Sequence, residues 1–141
     1  MVGTDGQSQT ERRVRVTMLT VNGTVLVVDD DAAFRRLAHR VLAAFGLGVA
    51  GEADTAASAM TATDALRPDA VLVDVGLPDA DGVTLARELT RLPWRPRVVL
   101  TSTDAEAAAP REVRASGAAA FVPKNELLNA PLDDLLGRRA A

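Results

Sequence analysis

The stretch TVLVVDDDAA, residues 24–33, carries a run of apolar residues straight into three adjacent carboxylates, Asp29, Asp30 and Asp31. The run is short, β-branched and without polar alternation, as expected of a strand buried on both faces. Behind it Phe34, Leu37, Ala38, Val41, Leu42 and Phe45 recur at helical spacing, and Gly46 supplies a stop. A strand that feeds a helix through an acidic turn is the first unit of a repeating pattern. Residues 47–53 (LGVAGEA) read as a weaker second strand, and the next helix is capped at Asp54 or Thr55 with Pro68 beyond its end. AVLVD (70–74) is a third strand. It leads through the turn-rich VGLPDADG into a helix over 83–92. RPRVVLT forms a fourth strand ending at Thr101, followed by a short helix with Pro110 in its first turn. AAAFVPK is a fifth strand, and a last helix is entered through Pro131.

Five strands alternating with helices predict an α/β fold: a doubly wound, five-stranded parallel sheet with helices on both faces. Residues 1–22 are polar and lack periodicity, and read as a flexible extension, with one extra turn of strand at VNG; residues 23–141 form the domain. The chain has 141 residues, enough for one core, and a net charge of −3, which argues against a nucleic-acid-binding surface. It contains no cysteine, so thiolate metal sites and thiol catalysis are excluded. No apolar run approaches the roughly 20 residues needed to span a bilayer. The first twenty residues lack the apolar core of a signal peptide, so a cytoplasmic location is expected.

In open parallel sheets, ligands bind beyond the carboxyl ends of the strands, where the strand order reverses. Those ends carry Asp29 and Asp30, Asp74, Thr101 and Lys124. Lys124 stands out because the other fifteen of the sixteen basic residues are Arg. Clustered carboxylates repel unless a cation neutralises them, and hard oxygen ligands suit Mg²⁺. A carboxylate can take a phosphoryl group as nucleophile, while a hydroxyl and an ammonium each hold a phosphoryl oxygen. Asp31 reads instead as the helix N-cap. His39, the only histidine, reads as a surface residue of the first helix.

These motifs (VLVVDD, VLVDVGLPDADG with Asp74 four residues before Pro78 and eight before Gly82, VVLTS and GAAAFVPK) resemble the receiver domain of bacterial two-component response regulators over residues 24–138. The resemblance implies the flavodoxin-like strand order 2-1-3-4-5. It implies that Asp74 accepts phosphate from a sensor histidine kinase or phosphotransfer protein. Asp29, Asp30, Asp74 and the Gly76 carbonyl would hold Mg²⁺, with Thr101 and Lys124 on the phosphoryl oxygens and Thr101 and Phe121 as switch residues. A regulator rather than an enzyme is expected, with no other cofactor, no direct nucleic-acid or membrane contact, and an unknown downstream protein. The face of helix four, strand five and helix five is the candidate for output and for homodimerisation.

Three departures from the family pattern stand out. Asn125 replaces the proline common after the strand-five lysine, and Gly76 and Thr103 give no side chain suited to steering an attacking water. Slow self-dephosphorylation is therefore expected. Pro110 predicts a short or delayed fourth helix. Two other readings compete: a receiver-like binding module that takes no phosphate, and a haloacid-dehalogenase-type phosphatase using Asp29, Asp31, Thr101, Lys124, Asp133 and Asp134. No output module follows the last helix, which fits either a stand-alone regulator or a piece of a longer protein.

Overall fold

The structure, a computed structural model, describes residues 22–138. The predicted extension therefore lies, up to residue 21, outside the described residues. In chain order the elements are β1 (Thr24–Val28), α1 (Ala32–Ala44), β2 (Gly48–Ala53), α2 (Ala56–Leu66), β3 (Ala70–Asp74), α3 (Gly82–Leu89), β4 (Arg97–Ser102), α4 (Pro110–Ser116), β5 (Ala120–Pro123), a 3₁₀ turn (Lys124–Asn129) and α5 (Leu132–Leu136). The five strands are parallel and ordered β2-β1-β3-β4-β5. The chain moves outward from β1 to β2, then returns across β1 to β3. The order thus reverses between β1 and β3, and the crevice opens where Asp29, Asp30 and Asp74 emerge.

The unbroken apolar runs of β1 and β3 follow from two separate layers of packing. Val25, Val27 and Leu72 pack on α1 and α5 residues such as Leu42, Leu132 and Leu136. Leu26, Val28, Val71 and Val73 face the other way, onto Ala59, Leu85, Leu89 and Val113 of α2, α3 and α4. Alternate residues of a strand point to opposite faces, so both sets must be apolar. β2 lies at the sheet edge, mostly half-buried, and a register shift against β1 interrupts it between Val25 and Leu26. That explains its weak sequence signal.

Several boundaries differ from the sequence expectation. β4 continues one residue past Thr101, to Ser102. α3 ends at Leu89 rather than residue 92, as the chain turns through 90–94. β5 ends at Pro123, so Lys124 opens the 3₁₀ turn instead of closing the strand. Pro123 has no N–H to extend a ladder, and the turn starts directly behind it. α5 is only five residues long. Asn22 and Gly23 form no strand; Asn22 N–H donates to Gly46 O at 2.8 Å, and Gly23 O accepts from Gly48 N–H at 2.9 Å. Asn22, read from sequence as part of the extension, is thus bonded to the domain through its backbone. α4 is short, with Pro110 at its start and Glu112 accepting from Ala109 N–H at 3.2 Å.

Candidate functional site: an acidic crevice with one ammonium

The three consecutive aspartates divide into three environments. Asp29 is fully buried. Its N–H donates to Ala53 O at 3.0 Å, its Oδ1 accepts from Asp31 N–H at 2.8 Å, and its Oδ2 lies 2.7 Å from Lys124 Nζ. Asp30 is exposed at the rim. Asp31 has extended backbone (φ −89°, ψ 107°) and accepts from Ala33 N–H at 2.9 Å, which makes it the α1 N-cap predicted from sequence.

Asp74 closes β3 with its carboxylate almost wholly buried. Oδ1 accepts from Gly76 N–H at 3.3 Å, and Oδ2 stands 3.9 Å from Lys124 Nζ. Burial, and after it the charge of Asp29, push the Asp74 carboxyl above the usual carboxylate range, while Lys124 pulls the other way. The loop behind Asp74 is closed by a Gly76–Asp81 bridge and by Gly82 N–H on Val75 O at 2.8 Å. Gly82 starts α3 so close to the strand that a Cβ there would lie 2.2 Å from Asp74 O. Asp79, in the same loop, accepts from Ala56 and Ala57 N–H at 2.7 and 3.0 Å, and so ties the loop to the α2 N-terminus. Those two bonds hold its carboxyl below the usual range.

Thr101 sits beside Asp74 in register across the β3–β4 ladder, and its hydroxyl oxygen is buried without a hydrogen-bond partner. Buried polar groups are rarely left unpaired, so this hydroxyl, next to a carboxylate, is free to take a further hydrogen bond. Lys124 lies with Nζ 4.2 Å from the centre of the Phe34 ring, in contact with both Asp29 and Asp74. The ring and the two carboxylates confine the ammonium to the crevice. Asp29, Asp30 and Asp74 each offer an oxygen, all within 4.8 Å of one another. Three carboxylates against one ammonium leave an excess of negative charge, and a hard divalent cation fits that donor set.

Of the residues singled out from sequence, the structure brings Asp29, Asp30, Asp74, Thr101 and Lys124 together, and places Phe121 elsewhere. Gly76 is exposed, and a side chain at its position would meet open space. Phe121 is half-buried and lines a cavity of about 540 Å³ with Ala105, Ala108, Pro110, Val113 and Arg114. Thr103 and Asn125 are exposed. The phosphatase constellation does not assemble: Asp31 is occupied as a cap, and Asp133 and Asp134 are exposed in the first turn of α5. The Asp134 carbonyl accepts from Arg97, which begins β4, so that pair stands at the opposite end of the sheet. Sequence reasoning missed Arg35, Glu52 and Asp79. No periodicity distinguishes an arginine turned inward from its two neighbours on α1, or one loop aspartate from another.

The pattern described as the response regulator receiver domain matches residues 25–132. The chain belongs to the response regulator receiver family. It is similar to the DNA-binding transcriptional activator DevR/DosR of Mycobacterium tuberculosis, at 38% identity over 128 residues that cover 83% of this chain and 58% of the relative. It is also similar to the chemotaxis protein CheY of Thermotoga maritima, at 29% identity over 71% of this chain and 83% of the relative. The solved receiver domain of NarL from M. tuberculosis superposes with a TM-score of 0.65 and 32% identity, covering 82% of this chain and 97% of that domain. Against three other curated relatives the chain spans only 26%, 51% and 25% of their length. Receiver membership and the sheet order agree with the sequence reading. Among the described residues no helix is long and apolar enough to cross a membrane.

Proposed function

We propose that this receiver domain accepts a phosphoryl group on Asp74 from the phosphohistidine of a sensor kinase or phosphotransfer protein. A carboxylate oxygen of Asp74 attacks phosphorus as the N–P bond of the donor breaks; the imidazole nitrogen keeps the electron pair and is protonated. Asp29, Asp30, Asp74 and the Gly76 carbonyl are the groups that would hold Mg²⁺. Bound there, the ion would supply charge neutralisation for the incoming phosphoryl group. Lys124 contributes a point charge already held beside Asp74, and Thr101 a hydroxyl with no competing bond. The unpartnered, buried Thr101 hydroxyl next to the buried Asp74 carboxylate carries the proposal.

The output follows from the same contacts. A phosphoryl oxygen that draws in the Thr101 hydroxyl changes the packing beneath α4 and turns the ring of Phe121, which borders a cavity lined by α4 residues. The face of α4, β5 and α5 then presents a different surface to a downstream protein, an output domain or a second copy. The chain acts as a cytoplasmic regulator whose catalysis is confined to its own phosphorylation and dephosphorylation. Incubation with acetyl phosphate and Mg²⁺ followed by intact mass measurement tests this. The parent gains one phosphoryl group and Asp74→Asn gains none; an unmodified parent refutes the proposal and favours a receiver used for binding alone.

A further inference from the structure

We infer that Arg35 is a positioning residue for the acidic crevice, acting through the Asp29–Asp30 peptide and itself aimed by Glu52. The inference rests on the divalent-cation site proposed above. Arg35 is the fourth residue of α1, in the first turn, where the helix dipole disfavours a cation. Its placement is explained by what it bonds. Nη1 donates to the backbone carbonyl of Asp29 at 2.6 Å, and Nε donates to Glu52 Oε1, also at 2.6 Å. The other Glu52 oxygen lies 3.0 Å from His39 Nε2. The hydrogen bond from Arg35, more than any other contact, holds the Glu52 carboxyl below its usual range. Arg36 and Arg40, on the same helix, are exposed and make no side-chain bond among the described residues.

The Asp29 carbonyl belongs to the rigid peptide plane that joins Asp29 to Asp30. Asp29 has further anchors in Ala53, Asp31 and Lys124. Among the described residues the Asp30 side chain has none, although it supplies one of the three oxygens that converge within 4.8 Å. Holding the carbonyl of residue 29 holds the plane from which the Asp30 carboxylate projects. The guanidinium does this with two N–H groups in one plane, one set against Glu52 and one against the peptide. A lysine ammonium keeps the charge but cannot reproduce that fork. Arg35 therefore touches neither cation nor phosphoryl group, yet sets where one carboxylate of the site stands.

The test uses Mn²⁺ as the probe, with free ion read by electron paramagnetic resonance, on the parent, Arg35→Lys, Glu52→Gln, the double variant and His39→Ala. Arg35→Lys binds Mn²⁺ about 10-fold more weakly, as expected when an outer partner of a metal ligand is lost. Glu52→Gln weakens binding less, and the double variant is no weaker than Arg35→Lys, because the two act in one chain. His39→Ala stays within about twofold of the parent, since it removes only the outer contact of Glu52. In the cation-free protein, amide exchange of Asp31, whose N–H bonds Asp29 Oδ1, speeds up in Arg35→Lys while core amides of β3 do not. In phosphoryl uptake, Arg35→Lys raises the Mn²⁺ concentration for half-maximal rate and leaves the saturated rate unchanged. Parent-like Mn²⁺ affinity in Arg35→Lys, or independent multiplying effects of the two substitutions, overturns the inference while leaving the site itself intact. A parent that binds no Mn²⁺ overturns the proposed function, and this inference with it.

Discussion

Two glycines of the loop that follows Asp74 should respond to alanine with opposite signs. At Gly82 a Cβ would lie 2.2 Å from Asp74 O, 2.8 Å from Val75 Cα and 2.9 Å from Asp74 C. All three obstacles are backbone atoms of a buried strand end and the residue after it, so no side chain can swing aside. Helix propensity favours alanine over glycine by up to about 1 kcal/mol. Forced overpacking costs about 1–3 kcal/mol and sometimes more, and a clash with fixed backbone belongs at the upper end. The expected net loss for Gly82→Ala is therefore about 2 kcal/mol. It is accompanied by slower phosphoryl uptake, because the displaced atoms belong to Asp74 itself. At Gly76 nothing lies within 4 Å of an added Cβ, and the backbone is not left-handed. Gly76→Ala removes only unfolded-state freedom, and should stabilise by about 0.5 kcal/mol. Urea unfolding of both variants beside the parent, with unchanged slopes, measures the two effects. A Gly82→Ala protein as stable as the parent, or a Gly76→Ala protein that loses as much as Gly82→Ala, would refute the reasoning.

Three further outcomes are expected. Thr101→Val replaces a buried, unbonded hydroxyl by a methyl of similar shape, so stability in urea should hold or rise by about 1 kcal/mol while the phosphorylated fraction at fixed acetyl phosphate falls. Asp74→Asn should raise the melting temperature at neutral pH, because burial and Asp29 make the ionised carboxyl costly in the fold. Its folded-state pKa is raised, so that cost is present above the folded value and absent once the carboxyl is protonated in both states; the gain of the variant should therefore shrink as pH falls through the carboxylate range. Gly76 has no side chain and Thr103 points from an exposed turn, so the phosphorylated form should decay slowly, over minutes or longer; decay within seconds, followed by intact mass after donor removal, contradicts this.

Much of the fold was legible because parallel strands buried on both faces are written as unbroken β-branched runs, and TVLVV and AVLVD both have that form. β2 was harder to read, since an edge strand with a register shift needs no such run. The acidic end of β1 and the single lysine were visible as anomalies of pattern and composition, and both stand in the crevice. The order of the strands rested on the family resemblance, because periodicity alone does not say which strand neighbours which. Lys124 lies in a 3₁₀ turn whose six residues are too few to show a period, so the end of β5 was placed one residue late. The supporting contacts were not legible at all. Arg35 is one of three arginines on its helix, and Asp79 one of two aspartates in its loop segment, and only the folded geometry distinguishes them.

The most direct measurement of the central claim is to locate the phosphoryl group chemically. After exposure to acetyl phosphate and Mg²⁺, borohydride reduction converts an aspartyl phosphate into a stable alcohol that peptide mass mapping can place. The account predicts the reduced residue at position 74, and none in protein treated without donor. Reduction at another carboxylate, or a phosphoryl group that resists borohydride and maps to His39, would contradict it.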